Sequence, residues 1–262
     1  MSRDGARGAK RATISPMTRS VLAACLATVA LLVVLLPMWL SRPDPLPSFP
    51  RLMLWAWESP QDLRFVQPGH AGIAFLARTV WLDGDHVRAR PRLQPLRFTP
   101  GTDLMAVVRF ESQGRGLPAA ADVVRETLTA SRIPGVRAMQ VDFDARASER
   151  DWYAAFLREL RRALPGGMPL TITALESWCE EGRWVRSLPV ADSTAMLFRL
   201  GPGERALPPG FPAGACGSSV GVSTDELPVR IPRARRIYFF TTGPWTRQAY
   251  DAAVAQAWRW WR

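Results

Sequence analysis

After residue 50 the chain is punctuated by eight apolar, β-branched runs. They are LMLWAWE (52–58), GIAFLARTVWL (72–82), LMAVVRFES (104–112), RAMQVDFD (137–144), LTITALES (170–177), TAMLFRLG (194–201), SVGVSTDE (219–226) and RIYFFTTG (236–243). Each has the length and residue preference of a strand. Most are nearly continuous in apolar residues, the pattern of strands covered on both faces in a parallel sheet. Helical spacing falls between several of them. Pro118 to Ser131 carries Val123, Val124, Thr127 and Leu128 on one side, and Ser148 to Leu164 opens with a Ser148-x-x-Asp151 capping box. That second helix is expected to bury Trp152, Phe156, Leu157, Leu160 and Leu164. A last helix over Thr246 to Arg262 places Tyr250, Val254, Ala257, Trp258 and Trp261 on one stripe.

Strands alternating with helices predict an α/β fold, and eight such units predict a (β/α)8 TIM-type barrel over residues 51–262. The repeat is imperfect. Asp83-Gly84-Asp85 reads as a hairpin turn leading back through Val87 to Leu96, and Gly201 to Gly217, rich in Gly and Pro, stands where a helix is expected.

Ahead of the barrel, residues 21–40 (VLAACLATVALLVVLLPMWL) carry no charge. At about 1.5 Å per residue they are long enough to cross a hydrocarbon core of about 30 Å as one transmembrane helix. The tail of residues 1–20 holds Arg3, Arg7, Lys10, Arg11 and Arg19 against Asp4. The positive-inside rule therefore expects a single-pass anchor in a bacterial inner membrane, with a cytoplasmic N-terminus and a periplasmic main domain. A cleaved signal peptide is the rival, but the run exceeds a usual apolar region and no small-x-small cleavage site follows it closely. Residues 41–50, which include PDPLPSFP, predict a stiff proline-rich linker.

The net charge of +11 falls to +6 once the six basic and one acidic residues of the first 42 are set aside. No basic stripe of the kind a nucleic-acid binder needs is present, so no nucleic acid is expected; Arg88, Arg90 and Arg92, alternating along one strand, come nearest, and a polyanion binder working through these three, with an affinity that drops steeply with salt, is a further reading. Cys179 and Cys216 are the cysteines outside the apolar run, and an oxidising compartment would permit a disulfide between them.

Candidate chemistry collects at strand ends, where this fold places its active sites. Strand parity puts Gln140, Asp142 and Asp144 on one face and Met139, Val141 and Phe143 on the other, so both aspartates are expected to point into the barrel. By the same argument Ser223 and Asp225 point inward, with Glu111 at the end of its own strand. Glu176 shares parity with the outward Leu170 and Ile172 and can line the mouth only if its strand has ended by then. Asp144, Asp142, Asp225, Glu111 and Glu176 are thus the catalytic candidates; Glu58, Arg78, Arg109, Arg199 and Trp245 are the substrate-binding ones. Two neighbouring carboxyls raise at least one pKa, which a general acid requires. The alternative is that Arg78, Arg109 and Arg199 neutralise these acids in a buried ionic layer. His70 and His86 lack metal or triad spacing, and two aspartates do not make a metal site, so neither metal nor cofactor is expected.

Several stretches together, among them LWAWESPQDLRF (54–65), MQVDFDARASERDWY (139–153), LTITALESWC (170–179) and GVSTDELP (221–228), resemble the bacterial family known as domain of unknown function 3142. More distantly, the fourth strand is similar to the D-x-D-x-E end of the chitinase-like barrels, with Trp245 placed like their aromatic floor. Arg146 stands where those enzymes carry their acid, so their mechanism does not transfer. The family resemblance implies no activity; the ring of acids at strand ends instead predicts a glycosidase-like barrel that acts on or binds an envelope polysaccharide through Glu111, Asp142, Asp144 and Asp225, with a non-catalytic glycan-binding or envelope-organising barrel as the alternative. Asp144 is the first candidate acid and Glu176 the second.

Overall fold

The computed structural model describes residues 44–198, 207, 209–211, 216 and 218–262. The apolar run 21–40, Arg199 and most of the loop Gly201–Gly217 lie outside the described residues. In chain order the strands are β1 (Leu52–Ala56), β2 (Gln61–Leu63), β3 (Gly72–Asp83), β4 (His86–Pro91), β5 (Leu96–Phe98) and β6 (Leu104–Ser112). They continue as β7 (Val136–Asp142), β8 (Leu170–Leu175), β9 (Asp192–Met196), β10 (Ser219–Ser223) and β11 (Arg236–Phe240). The helices are α1 (Ala120–Ser131), α2 (Arg150–Ala163), α3 (Glu176–Glu181), α4 (Arg183–Arg186) and α5 (Arg247–Trp261).

Strands β1, β3, β6, β7, β8, β9, β10 and β11 pair in parallel in that order, and β11 returns to β1. The result is a closed eight-stranded parallel barrel. All eight strands expected from the sequence supply it. The Asp83-Gly84-Asp85 turn sends β4 back antiparallel to β3, and β5 pairs with β2 outside the barrel. Among the described residues, helices follow β6, β7, β8 and β11 only, so the helical ring is incomplete. No helix among them is long and apolar enough to cross a membrane.

Parity divides the sheet as the sequence implies. Leu54, Ile73, Val108, Val141, Ile172 and Phe239 belong to the core between the strands and the outer elements, while Met53, Trp55, Met105, Val107 and Tyr238 pack inside the barrel. Of the proline-rich stretch, Leu46 and Phe49 are buried in this inner cluster and plug the N-terminal end of the bore. Arg236, also fully buried there, donates from Nε to Pro50 O (2.9 Å) and from Nη2 to the carbonyls of Leu46 (2.9 Å) and Phe49 (3.2 Å). Its neighbour Asp192 accepts from Ser193 N (3.0 Å), Ser218 N (3.2 Å) and the Ser219 hydroxyl. From Pro45 onward the chain is therefore seated in the barrel base rather than held away from it as a spacer.

Higher up, the Trp55 indole lies across the bore. Gly221 faces it, and a methyl group on Gly221 would run into Cη2 and Cζ3 of Trp55. Glycine is required here because the ring occupies the volume of a side chain.

Two helix details differ from expectation. The capping box of α2 centres on Arg146 rather than Ser148: Glu149, in a 3-10 turn ahead of the helix, accepts from Arg146 N (2.8 Å) and from the Ser112 hydroxyl (2.5 Å). In α5, capped by Thr246, the buried stripe is Tyr250, Ala253 and Ala257, and Trp258 is 59% exposed. Tyr250, Val254, Ala257 and Trp261 of the expected stripe pack on the core, Trp261 under Arg51 (4.2 Å), while Trp260, stacked on Phe239 (6.0 Å), takes the place expected of Trp258.

Candidate active site at the barrel mouth

The C-terminal ends of β1, β6, β7, β8, β9 and β11 enclose a cavity of about 490 Å3. Its acidic side is built by Asp142, Asp144 and Glu176, with Arg109 among them. Its aromatic side is Trp55, Trp57, Phe198 and Phe240. Phe198 and Phe240 stack at 5.6 Å, Trp57 meets Phe240 edge-on at 6.2 Å, and Trp55 closes the floor, 5.1 Å from Tyr238. The Trp55 Nε1–H donates to Gln140 Oε1 (2.8 Å), which fixes the ring across the bore.

Asp142 is the last residue of β7 and only 1% exposed on its side chain. Both of its oxygens are occupied: Oδ1 accepts from the Thr173 hydroxyl (2.6 Å) and Oδ2 from Arg109 Nη1 (2.6 Å). Arg109 also donates from Nε to Glu111 Oε1 (2.7 Å), and its Nη2 lies 3.7 Å from Asp144 Oδ2. Burial works against its charge, but Asp142 and Glu111 more than compensate, so the guanidinium is held charged above its ordinary range.

Asp144 differs in kind. Two residues beyond the end of β7, its side chain is 47% exposed and opens on the cavity. Desolvation by the mouth walls raises its pKa, the charge of Asp142 raises it further, and Arg109 only partly opposes them. Behind the pair, the Tyr153 ring is fully buried edge-on against Phe143 (5.2 Å). Its hydroxyl has no hydrogen-bond partner among the described residues. Burial, then Asp142 and Asp144, push its pKa well up, so it stays a neutral phenol.

Glu176 meets the condition set by parity. β8 stops at Leu175, the chain turns into α3, and the buried Glu176 and its neighbour Ser177 come round to line the cavity. α3 is anchored through Cys179, one turn in from Glu176, by a disulfide to Cys216.

Other expected site residues lie elsewhere. Asp225 is exposed, because β10 ends at Ser223 and the next residues form a turn whose Asp225 N–H donates to Ser223 Oγ (3.2 Å). A bulge between Leu76 and Arg78 in β3 reverses side-chain parity, and Arg78 points out to Glu126 on α1 (2.5 Å). Glu58 accepts from the backbone N–H of Leu93 (2.9 Å) and Gln94 (3.2 Å) and serves the β4–β5 excursion. Trp245 is buried outside the bore, donating from Nε1 to Trp55 O (2.8 Å), so the floor is Trp55 instead. Glu111 reaches the site only through Arg109, and Arg199 lies outside the described residues. Arg146, at the position of the chitinase-like acid, packs against Gly114 and stays out of the cavity.

The cavity also uses Thr173, Met196, Phe198 and Phe240, which sequence reasoning did not single out. Thr173 carried a signal: it alternates with the outward Ile172 and Ala174. No group of three or more His, Cys, Asp or Glu able to hold a metal ion occurs among the described residues.

Residues 100–198 match the model of the domain of unknown function DUF3142. The matched stretch runs from the approach to β6 through β9 and contains Arg109, Asp142, Asp144 and Glu176. The resemblance read from the sequence is thus shown for the middle of the chain. No curated protein matches. Among solved structures, the chain is similar to the Bacillus cereus spore cortex-lytic enzyme SleL, at 16% identity and a TM-score of 0.41. The likeness covers 67% of this chain and 51% of that one, so the chain spans about half the length of its structural neighbour.

Proposed function

We propose that the domain is a glycoside-hydrolase-like barrel that acts on or binds an envelope polysaccharide at its C-terminal mouth. One observation carries the reading: Asp144, a carboxyl with a raised pKa, shares a roomy cavity with a second carboxyl, Glu176, and a wall of aromatic rings. Aromatic faces suit the apolar faces of sugar rings, and glycosidic cleavage needs one carboxyl to protonate the leaving oxygen and another to act on the anomeric side. Asp144 supplies the proton. Glu176 is the partner carboxyl that activates the incoming water or attacks directly. Asp142, committed to Arg109 and Thr173, acts through its charge by keeping Asp144 protonated to higher pH. We further propose that residues 21–40 tether the barrel in the periplasm; the Cys179–Cys216 disulfide suits an oxidising compartment.

The test is Asp144→Asn in the full chain, assayed on a panel of bacterial envelope polysaccharides. Turnover is expected to fall by roughly 10²–10⁴-fold, the usual worth of a general acid, with the melting temperature unchanged. Unimpaired turnover sinks the assignment of Asp144. A second reading rests on Arg109, which contacts Glu111, Asp142 and Asp144 together, as a scaffold ionic layer would. On that reading the barrel binds glycans without cleaving them, and binding survives loss of either aspartate.

A further inference from the structure

The β3 bulge that turns Arg78 away has a second effect. Beyond it, Val80 and Leu82 join the outer core, so Thr79 and Trp81 take the face that continues the barrel interior. Cross-strand partners share a face. The register places Thr79 beside Arg90 of β4 on one side and Arg109 of β6 on the other; Trp81 likewise stands between Arg88 and Glu111. Two transverse rows result, Arg90–Thr79–Arg109 and Arg88–Trp81–Glu111. Each starts at the acidic cluster of the mouth and ends, two interstrand spacings or about 10 Å away, at an arginine.

The outer ends of the rows are exposed arginines gathered on one aromatic ring. The Arg88 guanidinium lies 4.6 Å over the half-buried Trp81 ring and Arg90 lies 5.9 Å from it. Both arginines are exposed, and among the described residues Arg88 has no carboxylate partner. Arg90 makes a long contact to Glu58 (3.4 Å). Arg92, which sequence alternation grouped with them, is spent on structure: it donates to the carbonyls of Ala56, Trp57, Ser59 and Gln94 and ties down the end of β1. The patch is therefore a pair of guanidiniums on an indole, set on the same sheet face as the cavity.

We infer that this wall is a second subsite, which takes an anionic group of a sugar chain whose neutral neighbour occupies the cavity. The inference rests on the glycan reading above and adds the substrate class: an acidic polysaccharide bearing carboxylate or phosphate groups. Charge runs from negative in the pit to positive on the wall, so the two ends of such a ligand are distinguished and its direction across the rim is set. Guanidinium forks match carboxylate and phosphate geometry, and the indole presents its edge and remaining face to a sugar ring.

The test compares two probes with one backbone. Chitohexaose is neutral; peptide-free peptidoglycan glycan strands of similar length carry a lactyl carboxylate on every second sugar. Calorimetric titration of the full chain should show the acidic probe binding at least tenfold more tightly at low salt, with the preference shrinking as salt rises. Arg88→Ala with Arg90→Ala should abolish that preference while affinity for chitohexaose stays unchanged; Trp81→Ala should weaken the acidic probe. Equal binding of the two probes, binding of neither, or a preference that survives the double arginine variant overturns the subsite. An intact preference in a protein without turnover overturns the catalytic reading and leaves the subsite standing.

Discussion

The two ends of the barrel each hold a buried aspartate and an arginine, in opposite surroundings. At the base, Arg236 is held by the backbone carbonyls of Leu46, Phe49 and Pro50, and Asp192 by two backbone amides and the Ser219 hydroxyl, with no ion pair joining the two among the described residues. Asp192's pKa is raised by burial, opposed by the Ser219 hydroxyl, the Ser218 amide and then Arg236. At the mouth, Arg109 and Asp142 are joined directly (2.6 Å), and the neighbouring Asp144 opens on a cavity. Burial of charge alone therefore does not mark a functional site. What separates the ends is space beside an incompletely compensated acid.

The largest expected effect probes the base. Arg236→Met leaves three buried carbonyls without their donor and removes the positive charge that opposes burial at Asp192; unsatisfied buried acceptors cost about 1–3 kcal/mol each, so a total of about 3–5 kcal/mol is expected. Thermal denaturation should show a fall of roughly 6–20 °C. Arg109→Met, at a site 32% exposed, should cost less; an equal loss would make the mouth as structural as the base. Next comes the disulfide. Replacing Cys179 and Cys216 by Ser opens a closure of 37 residues and should cost about 2–4 kcal/mol in denaturant titrations, with saccharide binding weakened because α3 carries Glu176 and Ser177. Gly221→Ala, driven into the Trp55 ring, should cost about 1–3 kcal/mol and shift the near-ultraviolet circular dichroism of tryptophan.

The smallest effect is on stability at Asp144. Its folded pKa lies above the unfolded value, so the ionised form costs stability at pH above the folded pKa and the cost is relieved as pH falls through it. Asp144→Asn should therefore match or slightly exceed the parent in stability at neutral pH. The pH profile of any turnover should carry a descending limb above the ordinary carboxylate range, because the protonated acid is lost there. A limb that persists in a partly active Asp144→Asn protein assigns the titration to another group.

The barrel was legible because its information is local. Each strand is an apolar run with its own breakers, and a period of two suffices to aim Asp142 and Asp144 inward. The conditional placing of Glu176 was legible for the same reason, since it turned on where β8 ends. What could not be seen is whatever one inserted residue or one long-range bond decides. The bulge in β3 reverses Arg78 and Trp81 together. Early termination of β10 leaves Asp225 in a turn. Arg236, an arginine at the start of a strand, gave no sign that carbonyls 186 to 190 residues away would surround it. Trp245 and Trp55 are alike in composition and differ only in which side of β1 each occupies.

The indole laid across the bore also decides how a long molecule can be handled. With Trp55 wedged against Gly221 and the lower interior filled, the barrel is a cul-de-sac and not a tunnel. A polymer cannot be drawn through it end-first; it must be laid over the rim and lifted off again, so substrate arrives and products depart by the same doorway.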